Sequence, residues 1–217
     1  MCSSDLDDYL KALRKARFSG DYSDADKALQ TLKENQATHG AAVYPSQLKT
    51  ELEIFYINSS IFGKLAMAYV ILGIGMLLFL FVSLFTQQKS PGFLIRTGFL
   101  VVLAAFVVHT AGLAIRWYIS GHAPWSNGYE TLLYISWATI LAGLIFANRS
   151  PITLAVTAVL SSVSLFVAGM SWMNPELTNL VPVLKSYWLV IHVAVVTASY
   201  GFFGVAALLG KIGRAHV

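Results

Sequence analysis

Five long runs without a charged side chain occupy most of the chain after residue 64 and limit what it can fold into. Each run contains 17 to 25 residues, and an α-helix needs about 20 apolar residues to cross the hydrocarbon core of a bilayer. In lipid, a helix has the further advantage that it satisfies its backbone hydrogen bonds internally. The sequence therefore predicts an all-α, polytopic integral membrane protein with about five transmembrane helices. The runs are residues 65–85, 97–115, 131–147, 150–173 and 186–210.

Charged residues are concentrated ahead of these runs. Residues 7–60 contain seven Lys or Arg and eight Asp or Glu, whereas residues 61–210 contain six Lys or Arg and only Glu130 and Glu176 as acids. We therefore expect a soluble helical linker segment at 7–60, broken at Gly20 and near 40–45, followed by a membrane part at 61–211. The net charge of +4 reflects the scarcity of acids, so nucleic acid is not an expected partner.

Both ends of the chain look foreign to the fold. Residues 1–6 and 212–217 match what translation of common sequencing adapters gives, and such segments are set aside in fold reasoning. We therefore expect the chain to be an internal fragment of a longer protein. Cys2, the only cysteine, lies in the first of these segments, so the sequence predicts no disulfide and no thiol chemistry within the fragment.

The connectors between the runs fall on two sides of the predicted bundle. Residues 86–96 and 148–150 lie on one side. Residues 116–130 and 174–185 lie on the other side, together with the soluble segment at 7–60. Between residues 61 and 210, Lys89, Arg96 and Arg149 lie on the first side, and Lys64, Arg116 and Lys185 lie on the second. The distribution of positive charge therefore does not orient the protein in the membrane.

Three histidines are expected near the side that carries the connector at 116–130. His109 and His192 lie inside apolar runs, seven residues from Arg116 and Lys185 respectively, and His122 lies in the connector itself. At about 1.5 Å per residue, the first two lie roughly 10 Å below the same membrane surface. Polar side chains at such depth are rare and often functional.

Two interpretations of these histidines remain open on spacing alone. A histidine pair can hold haem iron without cysteine, with aromatic side chains against the macrocycle and cations such as Arg116 or Lys185 on the propionates. Alternatively, the histidines bond neighbouring helices, and the aromatic residues form an ordinary interfacial belt. A third reading, a small-solute transporter, depends on Thr157 and the serines of residues 161–164 alone. The candidate aromatic walls are Trp117, Trp125, Tyr129, Trp172, Tyr187 and Trp188.

Two motifs resemble those of a known family. Residues 109–130 read HTAGLAIRWYISGHAPWSNGYE, residues 184–193 read LKSYWLVIHV, and Ser199 and Tyr200 follow. The combination resembles the CcsA/ResC family, the haem-handling membrane subunits of System II cytochrome c maturation. The resemblance covers about residues 95–210. Residues 44–90 resemble the linking portion of versions in which the CcsA part is fused behind a ResB-like (CcsB) part.

The resemblance implies haem handling and presentation for covalent attachment to apocytochrome c. Haem b is the implied ligand, and the site lies on the periplasmic face of the bacterial inner membrane. His192 matches the first external axial ligand of haem iron, and Trp188, Lys185, Trp125 and Arg116 are the implied contacts around it. His122 and His109 belong to the first motif and are further cofactor-binding candidates, expected to order the loop or the helix ends rather than to ligate iron.

Part of the family pattern is missing. A second external histidine and a tryptophan-rich WWD segment with a Trp-Asp-Pro-Lys-Glu core come after this point in the family, and the chain stops before them. The resemblance therefore implies that the intact parent is a cytochrome c synthase of the haem lyase type, whereas the fragment alone is inactive. The alternative function is a structural or interaction segment of a membrane complex.

Overall fold

A computed structural model of the chain describes residues 2–40, 45–86, 92–177 and 186–214. Eight α-helices and no strands are found in these residues, which confirms the predicted all-α class. The helices are α1 (Cys2–Ser19), α2 (Ser23–His39), α3 (Gln47–Ser59), α4 (Ile61–Phe85), α5 (Gly92–Ser120), α6 (Gly128–Phe146), α7 (Pro151–Ala168) and α8 (Tyr187–Arg214).

The chain divides into two compact units, residues 1–50 and residues 51–217. In the first unit, α1 and α2 pack against each other through Ala16, Ala25 and Leu32. The predicted break at Gly20 is confirmed, since Gly20 ends α1 with a φ of +76° that few other residues adopt without strain. The Nδ2 group of Asn35 donates to Asp5 Oδ2 at 3.0 Å and joins the two helices at their other end.

The second unit contains five helices, α4 to α8, that are long and apolar enough to cross a membrane. They coincide with the five predicted runs and extend most of them by a turn. The exception is α7, which ends at Ala168 rather than at residue 173 because a turn begins at Gly169. Its start agrees with the sequence: Pro151 occupies the first turn, and Ser150 Oγ accepts from the N–H of Thr153 at 3.4 Å.

Helix α7 is the centre of the second unit, because it packs along both α4 and α6. Its polar side chains form hydrogen bonds inside the bundle. The hydroxyls of Ser136 and Ser161 each donate to the backbone carbonyl of the other residue, which joins α6 to α7. Thr157 Oγ1 donates to the carbonyl of Leu154. These groups are therefore satisfied within the protein, and their contacts do not support a solute path.

Candidate functional site

A buried ion pair organises the end of the second unit that carries the 116–130 connector. Arg116 Nε lies 2.9 Å from Glu130 Oε1, with 0% and 1% of the two side chains exposed. The other carboxylate oxygen, Oε2, accepts from the N–H of Ser126 at 2.8 Å and from its hydroxyl at 2.6 Å. The N–H of Glu130 donates to Asn127 Oδ1 at 2.8 Å, so Asn127 caps the start of α6.

The remaining donors of Arg116 connect this pair to two further segments. Nη1 donates to the hydroxyl of Tyr56 at 3.2 Å and to the carbonyl of Pro175 at 2.9 Å, and Nη2 donates to the carbonyl of Glu176 at 3.1 Å. The guanidinium carbon also lies 5.1 Å from the ring centre of Tyr129. The ends of α3 and α5, the start of α6 and the connector after α7 thus meet at one side chain. The 116–130 and 174–185 connectors were predicted to share a side, and these contacts confirm it.

Sequence reasoning proposed Arg116 for a haem propionate and did not pair it with Glu130. The structure directs four of its five N–H groups to protein acceptors, and its role towards a propionate stays a prediction. One signal in the sequence could have found the pair. Arg116 and Glu130 are the charged residues at the two ends of one connector in a nearly uncharged region, where charges occur mostly in pairs.

The loop between α5 and α6 is held by local hydrogen bonds that involve His122. Gly121 ends α5 with a φ of +73°. The hydroxyl of Ser120 then donates to the carbonyl of His122 at 3.0 Å, and His122 Nδ1 lies 3.1 Å from the carbonyl of Ala123. The half-buried His122 side chain therefore contacts its own loop, as expected for a residue that orders it.

A cleft of about 600 Å³ lies between this loop and the first turns of α8. Trp117, His122 and Trp125 line one side, and Tyr187 and Ile191 line the other. Trp125 Nε1 is buried and has no hydrogen-bond partner among the residues that the structure describes. A row of aromatic contacts runs from the cleft along α6 to α5, with ring centres 5.8 Å apart for Trp117–Trp125, 4.9 Å for Trp125–Tyr134, 5.7 Å for Tyr134–Trp137 and 5.4 Å for Trp137–Phe106. Such a cleft fits one face or edge of a flat, apolar ligand.

The predicted ligand His192 lies on a different face of α8 from the cleft. His192 is exposed and follows Trp188, which is 77% exposed, by four residues, so the two side chains share one face of the helix. As the sixth residue of α8, His192 lies about 8 Å along the axis from the first. The structure therefore places Trp188 and His192 together and does not join them to His122 or Trp125. Lys185 lies outside the described residues.

His109 is enclosed on the α4 side of the bundle. Its side chain is fully buried, with Nδ1 3.4 Å from the hydroxyl of Tyr69 and the ring centre 5.5 Å from that of Phe62. Its Nε2 atom is buried and makes no hydrogen bond to the described residues. In the parts of the chain that the structure describes, no three His, Cys, Asp or Glu side chains come together as a metal site. The three histidines predicted to gather thus occupy three separate environments.

Comparison with known proteins points to one group. Residues 125–213 match the family described as cytochrome c assembly protein. Protein NrfI of Wolinella succinogenes is 43% identical over 204 residues, which is 94% of this chain and 22% of NrfI. Cytochrome c biogenesis protein CcsA of Prochlorococcus marinus is 39% identical over 153 residues in one strain and 42% over 124 in another. These matches cover 66% and 54% of this chain, and 46% and 37% of the relatives. The chain thus spans about a fifth of NrfI and less than half of these CcsA proteins.

Proposed function

We propose that the protein containing this chain presents haem for covalent attachment to apocytochrome c, since the chain belongs to the cytochrome c assembly protein family. Its CcsA relatives are named for cytochrome c biogenesis, and five helices of this chain are long and apolar enough to cross a membrane. Haem b is then the substrate, held at the periplasmic face of the inner membrane. A ResB-like part, fused or separate, is the expected partner within the membrane.

The observation that carries the proposal is the exposed face of α8 that contains Trp188 and His192. A neutral imidazole is a common ligand of haem iron, and an indole one turn away offers an apolar surface to the macrocycle. Both side chains are exposed next to the end of the bundle where Tyr187 and the Trp125 cleft meet. An axial ligand has to be accessible if haem is to be received and then passed on.

The other predicted contacts have secondary roles in this proposal. Trp125 and the cleft shape the surface beside α8, and Lys185 is proposed to neutralise a propionate. His122 orders the loop, and His109 supports the packing of α4 against α5. Arg116 mainly fixes the two connectors at the end of the bundle where haem is proposed to bind, because most of its N–H groups already donate to protein acceptors.

Removing the imidazole of His192 tests the proposal. The full-length protein containing this chain is purified from membranes, and its haem is measured by absorption spectroscopy. We expect His192→Ala to lose most of the haem, whereas His39→Ala, which removes an exposed histidine of α2, keeps it. Added imidazole is expected to restore the spectrum of His192→Gly, since a free ligand can replace the missing side chain.

The alternative function, a structural or interaction segment, makes the opposite prediction. The four hydrogen bonds from Arg116 to protein acceptors and the enclosure of His109 favour that role for those two residues. Unchanged haem content in His192→Ala, with the same fold by circular dichroism, would contradict the ligand assignment. Lost haem that imidazole does not restore would point to a packing role for His192 instead.

A further inference from the structure

An apolar groove of about 470 Å³ lies at the end of the bundle opposite Arg116, between the α6–α7 connector and the second half of α8. We infer that this groove binds one acyl chain of an anionic phospholipid whose phosphate pairs with Arg149. The groove is lined mainly by Phe146, Phe202, Phe203, Val205, Ala206 and Leu209, and Arg149 stands at its mouth.

The charge distribution makes this end complementary to an anion. Arg149 is exposed, and its side chain has no hydrogen bond or ion pair in the parts of the chain that the structure describes. After residue 60 the sequence contains only Glu130 and Glu176 as acids, and both belong to the Arg116 cluster at the other end of the bundle. Arg149 therefore faces no carboxylate from α4 to α8 that could satisfy it.

The position of Arg149 favours a lipid over a free anion or a protein segment. It lies in the short connector between Phe146, the last residue of α6, and Pro151, the first residue of α7, and both helices are long enough to span a bilayer. A cation at such a boundary is level with the headgroups. The groove continues from it along the apolar part of α8, so a ligand with a phosphate head and an aliphatic tail uses both features. The positive end of the α7 dipole adds to the attraction.

Lipid binding by the purified full-length protein tests the inference. Phosphatidylglycerol and phosphatidylcholine with identical acyl chains are titrated in detergent, and bound lipid is counted by native mass spectrometry. We expect one tightly bound phosphatidylglycerol. Arg149→Gln should weaken it by about fivefold, since a single Arg near anionic lipid contributes on the order of 1 kcal/mol. Arg96→Gln, which removes an exposed cation that does not line the groove, is the matched control and should change binding little.

A second variant separates the groove from the headgroup contact. Ala206→Phe fills the groove from an exposed position and should weaken phosphatidylglycerol even though Arg149 is intact. Equal binding of the two lipids, or equal effects of Arg149→Gln and Arg96→Gln, would overturn the inference. It would also fail if Arg149→Gln lowered the haem content but not the lipid preference, because haem, an apolar ring with two carboxylates, would then be the occupant. None of these outcomes depends on His192, so the test of the lipid site is independent of the test of the proposed function.

Discussion

Arg116 shows how a charged side chain is accommodated inside an apolar bundle. Removing a guanidinium and a carboxylate from water is costly, and their attraction offsets that cost only if the remaining donors and acceptors are also satisfied. Here Glu130 receives three hydrogen bonds on its two carboxylate oxygens, and Arg116 reaches Tyr56 and two backbone carbonyls beyond it. Loss of either partner would leave the other buried and unpaired.

We expect Arg116→Met to lower the free energy of unfolding by about 3–5 kcal/mol, because the variant leaves the carboxylate of Glu130 buried without its partner. Arg96→Met, at an exposed position, should have little effect. Unfolding in mixed detergent micelles, followed by circular dichroism, measures both. The double variant Arg116→Met with Glu130→Gln should be more stable than the sum of its single changes implies, and strict additivity would argue against a coupled pair.

At the scale of the helices, close approach between α6 and α7 depends on a residue without a side chain. A Cβ atom built on Gly143 would collide with the hydroxyl of Thr157 and would lie 2.9 Å from its Cβ, so the two backbones would have to separate. The reciprocal hydrogen bonds of Ser136 and Ser161 join the same pair of helices. Because lipid supplies little hydrophobic force between helices, such packing and hydrogen bonding hold the bundle together.

Gly143→Ala should therefore destabilise the protein by about 1–3 kcal/mol, the usual cost of overpacking. Gly75→Ala is the matched control, since Gly75 lies in α4 with no atom within 4 Å of an added Cβ. There the substitution should raise helix stability by about 0.5–1 kcal/mol. Thermal unfolding in the same detergent gives the Tm of each variant. Equal changes in Tm for the two variants would show that the α6–α7 contact does not limit the approach of these helices.

The sequence predicted where the membrane helices lie along the chain better than it predicted which of their faces are packed or exposed, and the reason is physical. The length of an apolar run is a property of one segment, so five runs sufficed to locate α4 to α8. The pairing of Arg116 with Glu130 and the role of Tyr56 depend on how several segments pack. For α8, apolar residues cover most of the helix surface, and periodicity therefore could not show that His192 and Trp188 lie on the exposed face while Val190 and Ile191 line the cleft.

For the whole molecule, the two ends of the second unit differ in charge in a way that counting alone did not reveal. Between residues 61 and 210 the two sides carry equal numbers of Lys and Arg in the sequence, but Arg116 is buried and paired with Glu130. Arg149 and Arg96 are exposed at the opposite end, without an acid from the helices around them. Among the described residues after residue 60, Arg149 and Arg96 are thus two exposed cations at the α6–α7 end, against the exposed Lys64 at the loop end, and exposed Lys and Arg are typical of cytoplasmic connectors.

This asymmetry agrees with the proposed orientation, in which the Trp125 loop faces the periplasm, and it can be tested by thiol labelling. In a cysteine-free background of the full-length protein, Gly128→Cys and Asn148→Cys each place one thiol at an exposed position, on the loop side and in the α6–α7 connector respectively. A membrane-impermeant maleimide should label Gly128→Cys in intact spheroplasts and Asn148→Cys only after lysis. The reverse pattern would contradict the orientation alone. Labelling of both from one side would contradict the fold itself, because an odd number of crossings, here the single helix α6, separates the two positions.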